Sequence, residues 1–235
     1  MEMDAVILAA GAGKRMKSAG VPKALFLLGG KPMICYAIDA LRSCGVNRIF
    51  IVKYYSDRFD VIDEMYKNTG LSIKYIDDRE RKGSLYSFSL LKSHIKGSFI
   101  CLDCDLFVIP QYFEKMAKIG VEKMESYSLD GVVACVKNPS KEDANMLLIE
   151  NSYVKRFIKD GNSICKRGGY VFIWNHSIFD NIDSFFAKNC YSLSQYYDVF
   201  AQDHKVGIME IEDIWDVDNE ADVSFTKSYI ERAIS

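Results

Sequence analysis

No apolar run in this 235-residue chain approaches the roughly 20 residues that a membrane-spanning helix requires, so no span is expected. The N-terminus carries Glu2 and Asp4 ahead of a short apolar stretch and lacks a basic segment, which argues against a secretory leader. Long Lys/Arg runs are also missing and the net charge is −2, so nucleic acid is disfavoured as a main partner, since a phosphate backbone demands clustered cations. A local basic pocket for a small phosphate ligand stays open. Zinc chemistry has little support. Cys101 and Cys104 form one CxxC, but Asp103 lies between them in a strand-like segment, and neither a second CxxC nor a His pair follows. The seven cysteines, an odd number scattered mostly in apolar runs, read as reduced thiols of a cytoplasmic protein. Repeats, low-complexity tracts and linkers are absent as well, and one compact unit is the simplest organisation.

What is present is alternation. Asp4–Ala10, Arg48–Tyr54, LSIKYID and SFICLDCD read as short buried strands. Between them, KPMICYAIDALRSC places Met33, Ile34, Ala37, Ile38 and Leu41 at helical spacing, RFDVIDEMYKNTG reads as a helix capped by Gly70, and GSLYSFSLLKSHI as another helix. This β-α repetition predicts a mainly parallel sheet covered by helices. The second half changes character. DGVVACV, NMLLIEN, YVKRFIKD and GGYVFIW are short strands of an antiparallel or mixed section that extends the sheet and covers the site. SIFDNIDSFFAK and SLSQYYDVFAQD read as helices, and KVGIMEIE as a last strand. IWDVDN then forms a loop running into a terminal helix, with Asn219 as a plausible N-cap.

The stretch LAAGAGKRM, Leu8–Met16, carries the chemistry. It is not a Walker loop, because Gly13-Lys14 is followed by Arg15 and no glycine stands at the required earlier position. It is not a Rossmann fingerprint, because Met16 occupies the third glycine place and the second strand ends in Lys53 and Tyr54 without an acid. What remains is a strand entering a small-residue loop, Leu8, Ala9, Ala10, Gly11, Ala12 and Gly13, whose backbone N–H groups can approach an anion closely. Lys14 and Arg15 follow at once, and Lys23 comes just after Pro22. Backbone donors with several cations suit a triphosphate attacked at its α-phosphorus, where charge builds on that centre and on departing pyrophosphate.

LAAGAGKRM with the downstream PKAL (Pro22–Leu25) resembles the signature of the sugar-phosphate nucleotidyltransferase family, and further matches run down nearly the whole chain. The resemblance implies an α/β fold of GT-A type: a single Rossmann-like domain with a mixed, mainly parallel sheet flanked by helices and a smaller antiparallel acceptor-side section. The domain would span 1–235, with a nucleotide-binding half of about residues 1–110 and an acceptor-binding half after it. Arg15 and Lys23 are then the catalytic cations on the triphosphate. Gly83, Ser84, Tyr86 and Ser87, in KGSLYSFSLLK, resemble the base- and ribose-contacting run of the small cytidylyltransferase branch, which leans the nucleotide toward CTP. Asp105, at the end of the CLDCD strand, falls where the family keeps a carboxylate for Mg²⁺, and Asp103, two residues earlier, shares its face if the strand continues. WDVDNEAD resembles the family's C-terminal ending, with Asp218 as first choice and Asp216 as second for the other metal carboxylate. Asp222 reads instead as a first-turn helix acid.

On the acceptor side, Lys159 matches the lysine that reaches the acceptor phosphate, and Gly169 and Tyr170 match a loop beside it. Abundant aromatics, among them Tyr86, Trp174, Tyr191, Tyr196, Tyr197 and Trp215, make phosphocholine a candidate, because aromatic faces attract a quaternary ammonium. Inositol 1-phosphate is another. The implied activity is transfer of a nucleoside monophosphate to such an acceptor with release of pyrophosphate. Hexose-1-phosphate or molybdopterin nucleotidyl transfer, and a non-catalytic nucleotide-binding relative, are the competing readings. An oligomer is possible.

Overall fold

The computed structural model describes residues 3–11, 21–137, 145–158, 167–211 and 214–234. In chain order the elements are β1 (Asp4–Ala9), β2 (Leu27–Leu28), β3 (Lys31–Pro32), α1 (Ile34–Ser43), β4 (Arg48–Tyr54), α2 (Asp60–Tyr66), β5 (Ser72–Asp78), α3 (Ser84–Ser89), β6 (Phe99–Asp103), β7 (Leu106–Val108), α4 (Pro110–Tyr127), β8 (Gly131–Lys137), β9 (Asn145–Glu150), β10 (Tyr153–Ile158), β11 (Arg167–Trp174), α5 (Ile182–Phe186), α6 (Leu193–Asp203), β12 (Val206–Glu210), β13 (Ile214–Asp216) and α7 (Glu220–Ile234).

Nine strands form one sheet in the order β5-β4-β1-β6-β11-β8-β12-β10-β9. The first four run parallel, as the β-α alternation predicts. From β11 onward the pairing is antiparallel except for β12 against β8. The second section therefore extends the same sheet, and with five strands it is as large as the first.

Both faces of the sheet are buried, and period-two alternation divides its side chains between two cores. Ile7, Ile49, Ile51, Ile100 and Leu102 point to one face, where α1, α2 and α4 add Ile38, Leu41, Ile62, Phe113 and Met116. Val6, Phe50, Val52, Phe99 and Cys101 point to the other, where Phe88 of α3 and Tyr196, Tyr197 and Phe200 of α6 meet Trp174. The six described cysteines are all free thiols, five of them buried. No helix among the described residues is long and apolar enough to cross a membrane.

Several boundaries differ from the sequence reading. The longest helix, α4, has no counterpart in the expected elements, although Phe113, Met116, Ala117, Gly120 and Met124 bury one face at helical spacing behind Pro110. α3 stops at Ser89, six residues in, and the rest of its pattern is turns. α2 ends at Tyr66. Gly70 lies beyond it, with φ of 74° in a turn that feeds β5 and not at the helix cap. SIFDNIDSFFAK breaks into a 3-10 turn, His176–Phe179, and α5. The IWD segment is not a loop but β13, which pairs antiparallel with β7 in a separate two-stranded ribbon.

Close approach, not turn geometry, requires glycine at Gly131. A Cβ there would meet Trp174 Cε3 at 2.2 Å, against a ring that is fully buried. Gly131→Ala is expected to cost about 1–3 kcal/mol by overpacking. Gly97→Ala, where an added Cβ meets nothing within 4 Å, should stay within about 0.5 kcal/mol of wild type. Urea denaturation of the two variants checks the contrast.

Candidate active site

The site assembles where the parallel strands end. β1 and β6 are neighbours in register, Leu8 beside Asp103, so Ala10 and Gly11 and the acidic turn after Asp103 emerge side by side. The N–H of Cys104 donates to Leu8 O at 3.1 Å and ties the two turns together. Gly11 is exposed, and a Cβ added there meets no described atom within 4 Å, so packing does not demand glycine at this position. Ala12, Gly13, Lys14 and Arg15 lie outside the described residues, as does Lys159.

Lys23 starts a short 3-10 turn, Lys23–Leu25, behind Pro22. Its ammonium donates to Asp105 Oδ2 and, at 2.5 Å, to Asp218 Oδ1. All three side chains are mostly buried, between 10% and 17% exposed. Burial alone would weaken the charge on Lys23, but Asp105 and Asp218 more than offset it, and the ammonium is held well above the ordinary lysine range. Asp105 keeps a second, buried oxygen, Oδ1, with no hydrogen-bond partner among the described residues.

Two local devices bring the carboxylates together. The β7–β13 ribbon pairs Leu106 with Asp216, and the N–H of Val217 donates to Asp105 O at 2.9 Å. Asn219 then caps α7, its Oδ1 accepting from the N–H groups of Ala221 and Asp222. Asp222 reaches back, and its Oδ2 accepts from the N–H of Asp218 at 2.8 Å and of Asn219 at 3.1 Å. This reciprocal capping fixes the Asp218 backbone, so Asp222 is a helix-start acid as expected.

Asp103 ends β6, while Asp105 lies in the turn beyond it, so strand alternation does not carry across the pair. Asp103 is exposed to water, although protein atoms crowd around its carboxyl. Burial first and then Asp105 push its carboxyl up to about 7, against the pull of Lys23. Tyr170 is buried, and its hydroxyl is pushed above the ordinary tyrosine range by burial and by the charges of Asp216 and Asp218. Asp216 and Asp218 thus both act on Tyr170, and Asp218 also bonds Lys23. Gly169 belongs to the sheet, where an added Cβ would meet Val133 Cγ1 at 2.8 Å; packing accounts for the missing side chain.

The Gly83–Ser87 segment is built differently from a simple capped helix. Gly83, at φ of 138°, precedes α3 without any side-chain cap. Ser84 Oγ accepts from the N–H of Leu193, and Ser87 Oγ donates to the carboxylate of Asp78 at 2.6 Å. Tyr86 OH donates to Glu80. Sequence reasoning missed Asp78, although an acid closing a strand just before a glycine turn was the available signal. Of the aromatics weighed for an ammonium ligand, Trp174, Tyr196 and Tyr197 are core residues, and Trp215 stacks on Phe107 with its Nε1 bonded to Thr226. Tyr86 and Tyr191, bridged by Phe186, stay half exposed.

Residues 5–157 match the model of the MobA-like NTP transferase domain. The chain belongs to that family. A choline-phosphate cytidylyltransferase from Streptococcus pneumoniae is 34% identical over 114 residues, 47% of this chain and 48% of that one. A bifunctional IPC transferase and DIPP synthase from Archaeoglobus fulgidus is 31% identical over 186 residues, 77% of this chain and 34% of that one. The matches thus span about half and a third of those relatives' own lengths. The inositol-1-phosphate CTP transferase of T. maritima superposes with a TM-score of 0.79 at 18% identity, covering 100% of this chain and 98% of that one, which shows a shared fold.

Among the described residues, no group of three or more His, Cys, Asp or Glu side chains is arranged to hold a metal ion. A divalent cation fits the site on narrower grounds. Two hard carboxylates already converge on one cation, and a buried oxygen of Asp105 has no described partner. Asp105 and Asp218 would hold such a cation, and Lys23 bridges the same two acids. Lys23→Met is expected to destabilise the metal-free protein by about 3 kcal/mol, because it leaves two mostly buried like charges facing each other. Urea titrations in EDTA and in Mg²⁺ test this: Mg²⁺ should raise the variant's midpoint more than that of wild type.

Proposed function

We propose that this chain is a Mg²⁺-dependent cytidylyltransferase that moves CMP from CTP onto a small phosphorylated acceptor and releases pyrophosphate. The carrying observation is the Lys23 bridge between Asp105 and Asp218, set beside the Gly11 turn at the carboxyl ends of parallel strands, where open α/β sheets bind ligands. Family membership supports nucleotidyl transfer. The lean to CTP and to choline phosphate or inositol 1-phosphate is supported by what the pneumococcal relative and the T. maritima protein are named for.

In this reading the acceptor's phosphate oxygen attacks the α-phosphorus of CTP. A new P–O bond forms as the α–β phosphoanhydride bond breaks, and the electron pair leaves with pyrophosphate. A phosphate dianion is already a nucleophile, so no side chain need take a proton. Lys23 and Arg15 hold the triphosphate and offset charge that develops on its oxygens. The end of β1 and the small residues that follow it, Leu8 to Gly13, supply backbone donors, and Lys159 and Tyr170 bound the acceptor. Mg²⁺ held by Asp105 and Asp218 would supply charge neutralisation on the phosphates when bound. Most of the rate then comes from orientation and electrostatics.

A polyol phosphate gains ground over phosphocholine, because the candidate aromatics for an ammonium are mostly buried; only Tyr86 and Tyr191 keep open faces. The test is pyrophosphate release with Mg²⁺ across the four ribonucleoside triphosphates and dTTP. Each is paired with phosphocholine, inositol 1-phosphate, glycerol phosphates and hexose 1-phosphates. CTP with one acceptor class should be productive, and Asp105→Asn should cut that activity by at least about 100-fold with the fold intact. Release with another triphosphate, or a fully active Asp105→Asn, would overturn the assignment.

A further inference from the structure

The ring of Trp215 is already taken up by partners on two other elements. On β13 it stands directly opposite Phe107 of β7, and the two rings stack with centroids 4.9 Å apart and planes inclined by 28°. Phe225 and Tyr229, one turn apart on α7, each meet it edge-on at 5.2 Å. One indole therefore touches the strand that starts just after Asp105 and the helix that Asp218 leads into, while its own strand ends two residues before Asp218.

The polar end of the indole is fixed as well. Trp215 Nε1 donates to Thr226 Oγ1 at 2.9 Å, and Thr226 Oγ1 donates to Asp222 O at 2.7 Å. Thr226 is inaccessible to water inside α7. A threonine that bonds the carbonyl one turn back satisfies its own hydroxyl but does nothing to strengthen the helix. Valine has nearly the same shape and would fill the same buried position. What valine lacks is an acceptor for the indole N–H.

Asp222 carries the link onward. Its carbonyl takes the Thr226 hydroxyl, and its carboxylate takes the N–H groups of Asp218 at 2.8 Å and Asn219 at 3.1 Å. Asp218 then reaches Asp105 through Lys23. On the other side, the N–H of Val217 donates to Asp105 O at 2.9 Å, and Phe107, two residues beyond Asp105, returns to Trp215. The contacts close into a circuit that holds both acids and has the indole opposite them. Networks of this kind, one shell behind the ligating atoms, orient carboxylates and tune how tightly they bind a cation.

We propose that Trp215 is a positioning residue for the acid pair: stacked on Phe107 and bonded to Thr226, it sets the start of α7 against β7 and thereby the separation at which Asp105 and Asp218 hold a divalent cation. The proposal rests on the reading of those two carboxylates as the cation site. The experiment measures Mn²⁺ binding to the purified protein by loss of the free-ion EPR signal, since Mn²⁺ takes the same hard oxygen ligands as Mg²⁺. It compares wild type, Thr226→Val, Thr226→Ser, Trp215→Phe, the Trp215→Phe/Thr226→Val pair and Asp105→Asn. Urea midpoints in EDTA and the Mg²⁺ dependence of pyrophosphate release are measured alongside. Thr226→Val and Trp215→Phe are each expected to weaken Mn²⁺ binding about tenfold and to raise the Mg²⁺ concentration for half-maximal rate by a similar factor, while kcat at saturating Mg²⁺ stays within about twofold of wild type. Thr226→Ser keeps the hydroxyl and should restore most of the affinity. The paired changes should lose little more than either alone, because both break the same bond. Should Trp215→Phe not fold, the two Thr226 variants decide. A lower urea midpoint with unchanged Mn²⁺ affinity would make the Trp215–Thr226 bond a stabilising contact only and overturn the proposal, as would a Thr226→Ser that binds no better than Thr226→Val. If wild type binds no Mn²⁺, or Asp105→Asn binds it as wild type does, the cation-site reading falls and this proposal with it.

Discussion

One cation between two acids organises the site. Asp105 and Asp218 are distant in sequence, and their charges repel at the separation that a shared ligand demands. Lys23 Nζ bonds both and removes that repulsion. The pairing then needs backbone support from each side, which the β7–β13 ribbon and the Asn219–Asp222 cap provide. The third apolar cluster, with Leu28, Met33, Phe107, Val217 and Val223, packs around that ribbon and connects the Lys23 turn, the first helix and the last helix to it. That packing fixes the backbone on either side of the acids.

The division of the sheet follows the division of labour. The parallel half delivers three loops to one edge: those after β1, β5 and β6. Each differs in character: small residues, a charged loop over the buried Asp78, and a carboxylate turn. The mixed half supplies a rigid wall through β11, on which Tyr170 faces Asp216 and Asp218. Loops anchored on a doubly covered sheet have their ends held in place, which keeps positional errors small.

Much of this was readable in the chain itself. Apolar runs such as VILA and IFIV declare buried strands because both faces are covered, and Asn219 with Asp222 three residues on is a capping signature that the structure contains. Lys23, Asp105 and Asp218 were singled out separately, and the structure brings them into contact. What was not readable depended on tertiary context. α3 stops early although SLLKSHI continues its pattern, and IWD pairs as a strand only because Leu106–Val108 lies alongside. Ser87 resembles a ligand-facing hydroxyl until Asp78 is seen beneath it. The aromatics that suggested an ammonium site are explained by a core in which Phe88, Phe99, Phe172, Trp174 and Tyr197 pack against one another.

The ribbon between β7 and β13 has a temporal consequence. A chain emerging from the ribosome can pair β1, β4, β5 and β6 early, since all four end by Asp103. The edge of β7 stays unpaired until Ile214–Asp216 has been synthesised, and only then do Asp218 and Lys23 meet. Until then the loops after β1, β5 and β6 stand beside Asp105 without Asp218. The Lys23 bridge is therefore among the last contacts of the fold that the growing chain can make.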